Sequence, residues 1–261
     1  MPKFAVDSHC GKVRKLNEDS FEAAPEIGLW LVADGVGGHD CGEVASELTR
    51  RTIAASYRGG SDLVAAVEEA HLAVCEAIAN NKGGVNMAST VVALALQGCD
   101  FQIAWVGDSR AYLWNGALRL LTRDHSVVEE MVSRGEISRE EGASHPSRHI
   151  ITRCIGMVSK APVEVSSLAG TLADDESLIL CSDGLNDSVS SQAISAIMAS
   201  AAGADRRVAE LIAAALEGGG RDNITVAVID GGASRGADRQ AALPTSSRRA
   251  SLWGRLLSLF R

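Results

Sequence analysis

Phe101-Gln102-Ile103-Ala104-Trp105-Val106-Gly107-Asp108-Ser109-Arg110-Ala111-Tyr112-Leu113-Trp114-Asn115-Gly116-Ala117-Leu118-Arg119-Leu120-Leu121 is the stretch on which the fold reading turns. Two short apolar runs, Phe101–Val106 and Ala111–Trp114, are rich in branched and aromatic residues, which suit a pleated, half-buried surface. Asn115-Gly116 then joins Tyr112-Leu113-Trp114 to Leu118-Arg119-Leu120. Asn-Gly is a strong hairpin signal, because both residues tolerate the positive φ of a tight hairpin turn. Phe101 to Leu121 therefore reads as an antiparallel meander, and a purely parallel wound sheet is disfavoured.

Similar runs occur at Leu29–Ala33, Thr90–Leu96, Leu178–Cys181 and Ile224–Ile229. Between these runs lie amphipathic helices. One extends from about Gly42 to Tyr57. In another, Leu63, Val67, His71, Val74 and Ile78 recur at spacings of three and four, with Ser61 or Asp62 as its cap. A later pair covers roughly Ser191–Ala201 and Asp205–Leu216, and Gly218-Gly219-Gly220 stops the last helix. Helix pairs separated by groups of strands predict an α+β layered fold, with sheets covered by helices on both outer faces.

Asp124 to Gly156 is polar and turn-rich, with a short helix expected around Val127–Ser133. It reads as an inserted surface flap of a domain spanning 1–232. Its Arg134, Arg148 and Arg153 are candidates for contact with a substrate. Residues 233–261 form a tail rich in Ala, Ser and Arg. Leu252, Leu256, Leu259 and Phe260 stand there at helical spacing near Arg248, Arg249, Arg255 and Arg261, with Trp253 among them. Such a segment suits a peripheral membrane contact or a partner contact.

The 261 residues have a formal net charge of −8, which gives a nucleic-acid partner no support. The six cysteines, Cys10, Cys41, Cys75, Cys99, Cys154 and Cys181, form no CxxC pair and show no zinc spacing. They are expected to be buried free thiols of a reduced, cytoplasmic protein. Met1–Asp7 lacks the basic stub and apolar run of a signal peptide, and no stretch reaches the ~20 apolar residues of a membrane span.

Three apolar runs end alike. Leu29–Ala33 leads into Asp34-Gly35, Ile103–Gly107 into Asp108-Ser109, and Leu178–Ser182 into Asp183-Gly184. Asp222-Asn223 stands just before Ile224–Ile229. Each run would carry its aspartate to a sheet end. Crowded carboxylates repel one another and lose hydration, and a divalent cation relieves both costs. Oxygen ligands with no histidine or cysteine set favour Mg²⁺ or Mn²⁺. An Asp-Gly pair alone is more simply a turn former, so the inference rests on the set.

From Phe4 to about Gly231 the chain resembles the bacterial branch of the metal-dependent phosphatase 2C family. The matching segments are Gly11–Ser20, Val32–His39 with Gly42-Glu43 and Ala45-Ser46, Ala88-Ser89-Thr90, Val106–Arg110, Leu121–Ser126, Ile151–Gly156, Cys181–Leu185 and Arg221–Thr225. The resemblance implies a β-sandwich of two antiparallel sheets flanked by helices. It also implies hydrolysis of phosphoserine and phosphothreonine by a water or hydroxide bridging two Mn²⁺ or Mg²⁺ ions, with a third ion in bacterial members. By resemblance Asp34 bridges two metals, with the Gly35 carbonyl on one, and Asp183 and Asp222 complete the other shell. Asp19 binds a metal or a metal water, Asp108 supports the third ion with Asp183, and Glu18 matches a ligand of some members. Arg14 would clamp the phosphate through its planar fork. His39 is a candidate proton donor, though Val36-Gly37-Gly38 separates it from Asp34-Gly35, where the family's acid histidine follows directly. His125 is expected to be a hydrogen-bonded structural residue. The implied partners are phosphoproteins, a serine/threonine kinase and that kinase's targets. A hydrolase of small phosphoesters and a degenerate binding module are the alternatives.

Overall fold

A computed structural model describes residues 1–36, 41–157, 162–200 and 202–232. Its strands are β1 (Phe4–His9), β2 (Asp19–Ala24), β3 (Leu29–Val36), β4 (Ala88–Ser89), β5 (Val91–Gln97), β6 (Asp100–Val106), β7 (Arg110–Trp114), β8 (Leu118–Leu120), β9 (Ser166–Thr171), β10 (Ser177–Cys181) and β11 (Ile224–Asp230). Its helices are α1 (Gly42–Arg58), α2 (Leu63–Ala79), α3 (Val127–Ser133), α4 (Arg139–Ala143), α5 (Asp183–Ser188), α6 (Ser191–Met198) and α7 (Ala204–Glu217). One antiparallel sheet has the order β1-β11-β10-β7-β8, the other β2-β3-β5-β6-β9 with β4 added beside β3.

Strand side chains alternate between two faces, and here both faces are buried. In β3, Leu29, Leu31 and Ala33 pack under α1 and α2, while Trp30 and Val32 face the gap between the sheets. In β10, Leu178 and Leu180 enter that gap from the other side, and Ile179 and Cys181 meet the layer of α5, α6 and α7. Three cores thus separate four layers, helix–sheet–sheet–helix. A strand covered on both faces is apolar at every position, so these strands read as continuous runs. The expected α+β sandwich is the observed one.

Two sequence expectations need correction. The stretch from Phe101 to Leu121 is not one meander: β6 lies in one sheet, and the hairpin β7–β8 lies in the other. The chain crosses at Gly107 (φ 106°), where a Cβ would meet the Thr90 side chain at 2.5 Å. The reason is packing. Phe101, Ile103 and Trp105 on one side and Ala111 and Leu113 on the other close the same inter-sheet core from opposite sheets. The cysteines are free but not uniformly buried, since Cys99 is exposed and only Cys154 and Cys181 are fully buried. Cys99 sits at the turn between β5 and β6, outside any core.

The helices follow their caps. The Asp62 carboxylate accepts from the Val64 and Ala65 amides at the start of α2, and Gly218 closes α7. Within the flap, α3 has the expected bounds, and α4 is added by a capping box between Ser138 and Glu141. Among the described residues no helix is long and apolar enough to cross a membrane. The tail expectations lie outside the described residues.

Candidate metal centre

The aspartates singled out by sequence meet at one end of the sandwich. Antiparallel pairing explains how, because the end of one strand stands beside the start of the next. Asp34, late in β3, is opposite Asp19 at the start of β2. Asp183 follows β10, and Asp222 precedes β11, its antiparallel partner. Asp108 sits where the chain passes from one sheet to the other. Asp34 lies inside its strand rather than at its tip, because β3 continues to pair with β4 through Gly35 and Val36. Asp183 opens α5, a helix the sequence reading omitted.

The charges act on one another. The Asp34 carboxyl is pushed well above the usual range, first by burial and then by repulsion from Asp19, Asp183, Asp108 and Asp222. The Asp183 carboxyl is raised by burial and by Asp108, Asp187, Asp222 and Asp19. Burial raises Asp19 and Asp108 to about 6 each, with Asp124 adding to the shift at Asp108. Oδ1 of Asp19 and Oδ1 of Asp183 are buried and lack any hydrogen-bond partner. Buried carboxylate oxygens without donors are costly. A divalent cation is the partner that fits an all-oxygen donor set of this charge.

Asp19 is aimed by a directed chain of donors. Its Oδ2 accepts from Thr225 Oγ1 at 2.6 Å and from Ser182 Oγ at 2.8 Å. Thr225 Oγ1, having spent its proton on Asp19, accepts from Ser8 Oγ at 2.7 Å, and Ser8 accepts from Asn17 Nδ2 at 2.8 Å. The chain fixes Oδ2 and leaves Oδ1 free.

Glycines allow the close approaches. A Cβ on Gly35 would stand 2.3 Å from the Gly42 carbonyl oxygen, and one on Gly184 would stand 2.0 Å from the Asn223 carbonyl oxygen. Asp34 and Asp183 are therefore each followed by a residue that cannot carry a side chain.

Arg14 lies on the loop between β1 and β2. Its guanidinium donates to Asp222 Oδ2 at 2.8 Å, so it reaches the acidic cluster, and that bond raises its pKa. Asn223, which the sequence reading gave no role, clamps this loop. Its Nδ2 donates to the carbonyls of Cys10 (3.0 Å) and Leu16 (2.9 Å), and its Oδ1 accepts from the Glu18 amide at 2.8 Å. A buried Asn beside a candidate ligand was visible in Arg221-Asp222-Asn223, but its partners lie more than 200 residues away. Ser8, Ser182 and Thr225 were missed for a like reason, since each reaches a partner more than 150 residues away, and Asn17 was missed because its donation to Ser8 only matters through that chain.

His125 is structural, as expected. Its Nδ1 accepts from the Gly107 amide at 3.1 Å, so Nε2 carries the proton toward Ser166 Oγ at 2.9 Å. The ring stacks on Trp105, and burial lowers its pKa to about 4. It thereby fixes the turn that carries Asp108. His71 does similar work at the flap's far end, where its Nδ1 accepts from the Gly156 amide at 3.2 Å. Of the flap arginines, Arg134 pairs with Glu130 and Glu136, and Arg153 pairs with Glu164. His39 lies outside the described residues.

Comparison with known proteins identifies the family of this chain. The family model described as protein phosphatase 2C matches residues 3–224. The chain is 34% identical over 234 residues to the serine/threonine phosphatase stp of Listeria welshimeri, a match covering 84% of this chain and 92% of that one. The crystal structure of the serine/threonine phosphatase PstP/Ppp of Mycobacterium tuberculosis superposes with a TM-score of 0.79 at 35% identity, covering 87% of this chain and 97% of the other. A PstP catalytic domain solved in complex with 2 manganese ions superposes with a TM-score of 0.75 at 31% identity, covering 87% and 97%. This chain belongs to the protein phosphatase 2C family of metal-dependent protein serine/threonine phosphatases.

Proposed function

We propose that the carboxylates of Asp19, Asp34, Asp183 and Asp222, with the Gly35 carbonyl, hold two Mn²⁺ or Mg²⁺ ions for hydrolysis of phosphoserine and phosphothreonine in proteins. Asp108 joins Asp183 at a third ion. The observation that carries this reading is the pair of buried, donorless oxygens, Asp19 Oδ1 and Asp183 Oδ1, within one ring of repelling carboxylates. Bound divalent ions supply an activated water nucleophile and neutralise charge on the transferring phosphoryl group.

The chain's own groups do the rest. Arg14, held at the cluster's edge by the Asn223-clamped loop, presents two donors to phosphate oxygens. The hydroxyls of Thr225 and Ser182 keep Asp19 oriented. His39 is the candidate donor of a proton to the leaving serine or threonine oxygen. The catalytic domain covers residues 1–232 with its flap at about 124–156, and the tail 233–261 makes a peripheral or partner contact. The substrates are phosphoproteins of the cytoplasm, among them a serine/threonine kinase and its targets.

The test is phosphate release from a phosphothreonine peptide with Mn²⁺, with Mg²⁺ and with EDTA, alongside the Asp34→Asn variant. Release that requires metal and vanishes in the variant is expected. Folded protein that releases phosphate with no metal, or only from small phosphometabolites, overturns the reading.

A further inference from the structure

The loop between β1 and β2 does more than carry Arg14. Every residue from Lys12 to Leu16 is exposed, and two of them are large and apolar: Val13 is 65% exposed and Leu16 53%. Solitary apolar side chains on a surface are ordinary. These two are not scattered. Of the eight large hydrophobics exposed among the described residues, Val13 and Leu16 bracket Arg14. A third, Ile150, stands on the flap beside His149, whose Nδ1 lies 3.2 Å from Asp187 of α5, the helix that Asp183 opens.

The loop is held in shape. The Lys12 amide donates to the Gly220 carbonyl at 2.7 Å, the Gly11 amide to His9 Nδ1 at 2.9 Å, and Cys10 Sγ to the Arg14 carbonyl at 3.4 Å. The Asn223 bonds to the Cys10 and Leu16 carbonyls add to these. Gly11 has φ 79°, and a Cβ there would stand 2.3 Å from the Asp222 carbonyl oxygen, so the loop lies directly against the acidic cluster. Neither Val13 nor Leu16 belongs to any of the three cores. Apolar groups presented on an ordered backbone are covered by a ligand with little further ordering cost.

Spacing says which part of a ligand would cover them. Consecutive Cα atoms are ~3.8 Å apart, and an extended peptide advances ~3.3–3.6 Å per residue. Val13 adjoins Arg14, and Leu16 lies two residues beyond it. With a phosphate on Arg14, both stand within reach of substrate residues next to the phosphorylated one. We propose that Val13 and Leu16 form a docking surface for an apolar side chain one or two positions from the phosphothreonine or phosphoserine, and so set sequence preference among phosphoproteins. The proposal rests on the reading of Arg14 as the phosphate clamp of a metal-dependent phosphatase. Charge is the competing account, because Lys12 and Lys15 on the same loop would draw acidic neighbours. Exposed ion pairs are weak and screened by salt, whereas an apolar contact is not.

The experiment uses the full chain with Mn²⁺ and phosphothreonine peptides bearing Leu, Ala or Asp at one or two positions before or after the phosphothreonine. Release from p-nitrophenyl phosphate, which has no flanking residues, is measured alongside. Wild type is expected to prefer Leu over Ala at one of these positions by about five- to tenfold in kcat/KM, the size that covering about 50 Å² of apolar surface gives. The preference should lie in KM rather than kcat, and persist when salt is raised several-fold. Val13→Thr combined with Leu16→Gln should abolish the preference, and Leu16→Met should keep it. Each ratio is taken within one variant, so a general loss of activity or stability does not imitate the result. Equal rates on all peptides, a preference for Asp that fades with salt, or a Leu preference that survives the double variant overturns the proposal and leaves the metal centre standing. Release from neither the peptides nor p-nitrophenyl phosphate sinks the metal-centre reading and this proposal with it. Release from p-nitrophenyl phosphate alone sinks the protein substrate and the docking surface together.

Discussion

Asp19 shows how much of a site can hang on hydroxyls. Its Oδ2 takes protons from Thr225 and Ser182, and the Thr225 link reaches back through Ser8 to Asn17. Thr225→Val keeps the volume and removes one donor. The variant is expected to fold and to bind Mn²⁺ about 10–100-fold more weakly, by analogy with lost outer-shell partners. Isothermal titration of the metal-stripped protein measures this, and an unchanged affinity would place Asp19 outside the metal shell. Gly184 makes the complementary point about shape. Its backbone packs against the Asn223 carbonyl, and a Cβ there would stand 2.0 Å from that oxygen. Gly184→Ala must push α5 and β11 apart, so a loss of about 1–3 kcal/mol is expected from a urea midpoint. The Asp-Gly pairs were legible as motifs, and their ordinary explanation is a turn. At Gly184 the structure gives a different one, the close approach of a neighbouring backbone.

The interior strands were legible, as was the edge strand β8 through its Asn-Gly turn, and the strands that were missed lie mostly at edges. β3, β5, β6, β7, β10 and β11 are flanked on both sides and covered on both faces, so their central stretches are mainly apolar and polar residues fall mostly at their ends. β1 (FAVDSH), β2 (DSFEAA) and β9 (SSLAGT) are edge strands with mixed burial. Little in their own composition asks for a strand. They pair because a buried neighbour offers a ready hydrogen-bond ladder, and that context outweighs propensity. The flap is the element whose attachment is most open to test. Its entrance is tied to β7 by Arg110 and Asp124, and its exit to α2 by His71 and Gly156. Arg110→Ala leaves the Asp124 carboxylate, which is 14% exposed, without its partner. Loosening of the flap follows, and limited proteolysis should cut within 124–157 sooner than in wild type while the sandwich stays resistant. Cleavage at an unchanged rate would show that His71 and the β-bridges hold the flap unaided.

The molecule as a whole trades stability for a charged cluster that a cation must relieve. Asp19 and Asp108, raised to about 6, take up protons in the folded state at a pH where the unfolded chain does not. For raised carboxyls the native state binds more protons, so the metal-free protein loses stability as pH rises through about 6. His125, lowered to about 4, acts in the opposite sense, because the unfolded chain protonates first as pH falls below about 6.5. The carboxylates outnumber it. EDTA-stripped protein is therefore expected to be more stable toward urea at pH 5 than at pH 7.5, by a few kcal/mol at most. Mn²⁺ should reverse the order by binding the ionised native cluster. A metal-free protein that weakens steadily from pH 7.5 to 5 would refute this. The sequence by itself determined the layered α+β class, the interior strands, the helices other than α4 and α5, and the aspartates, because continuous apolar runs and their polar ends are local patterns. Only the tertiary structure decided that β6 and β7 belong to opposite sheets, that Asn223 clamps the Arg14 loop, and that His149 meets Asp187. Those facts depend on which surfaces bury one another across the chain, and no local pattern encodes a contact between residues far apart in sequence.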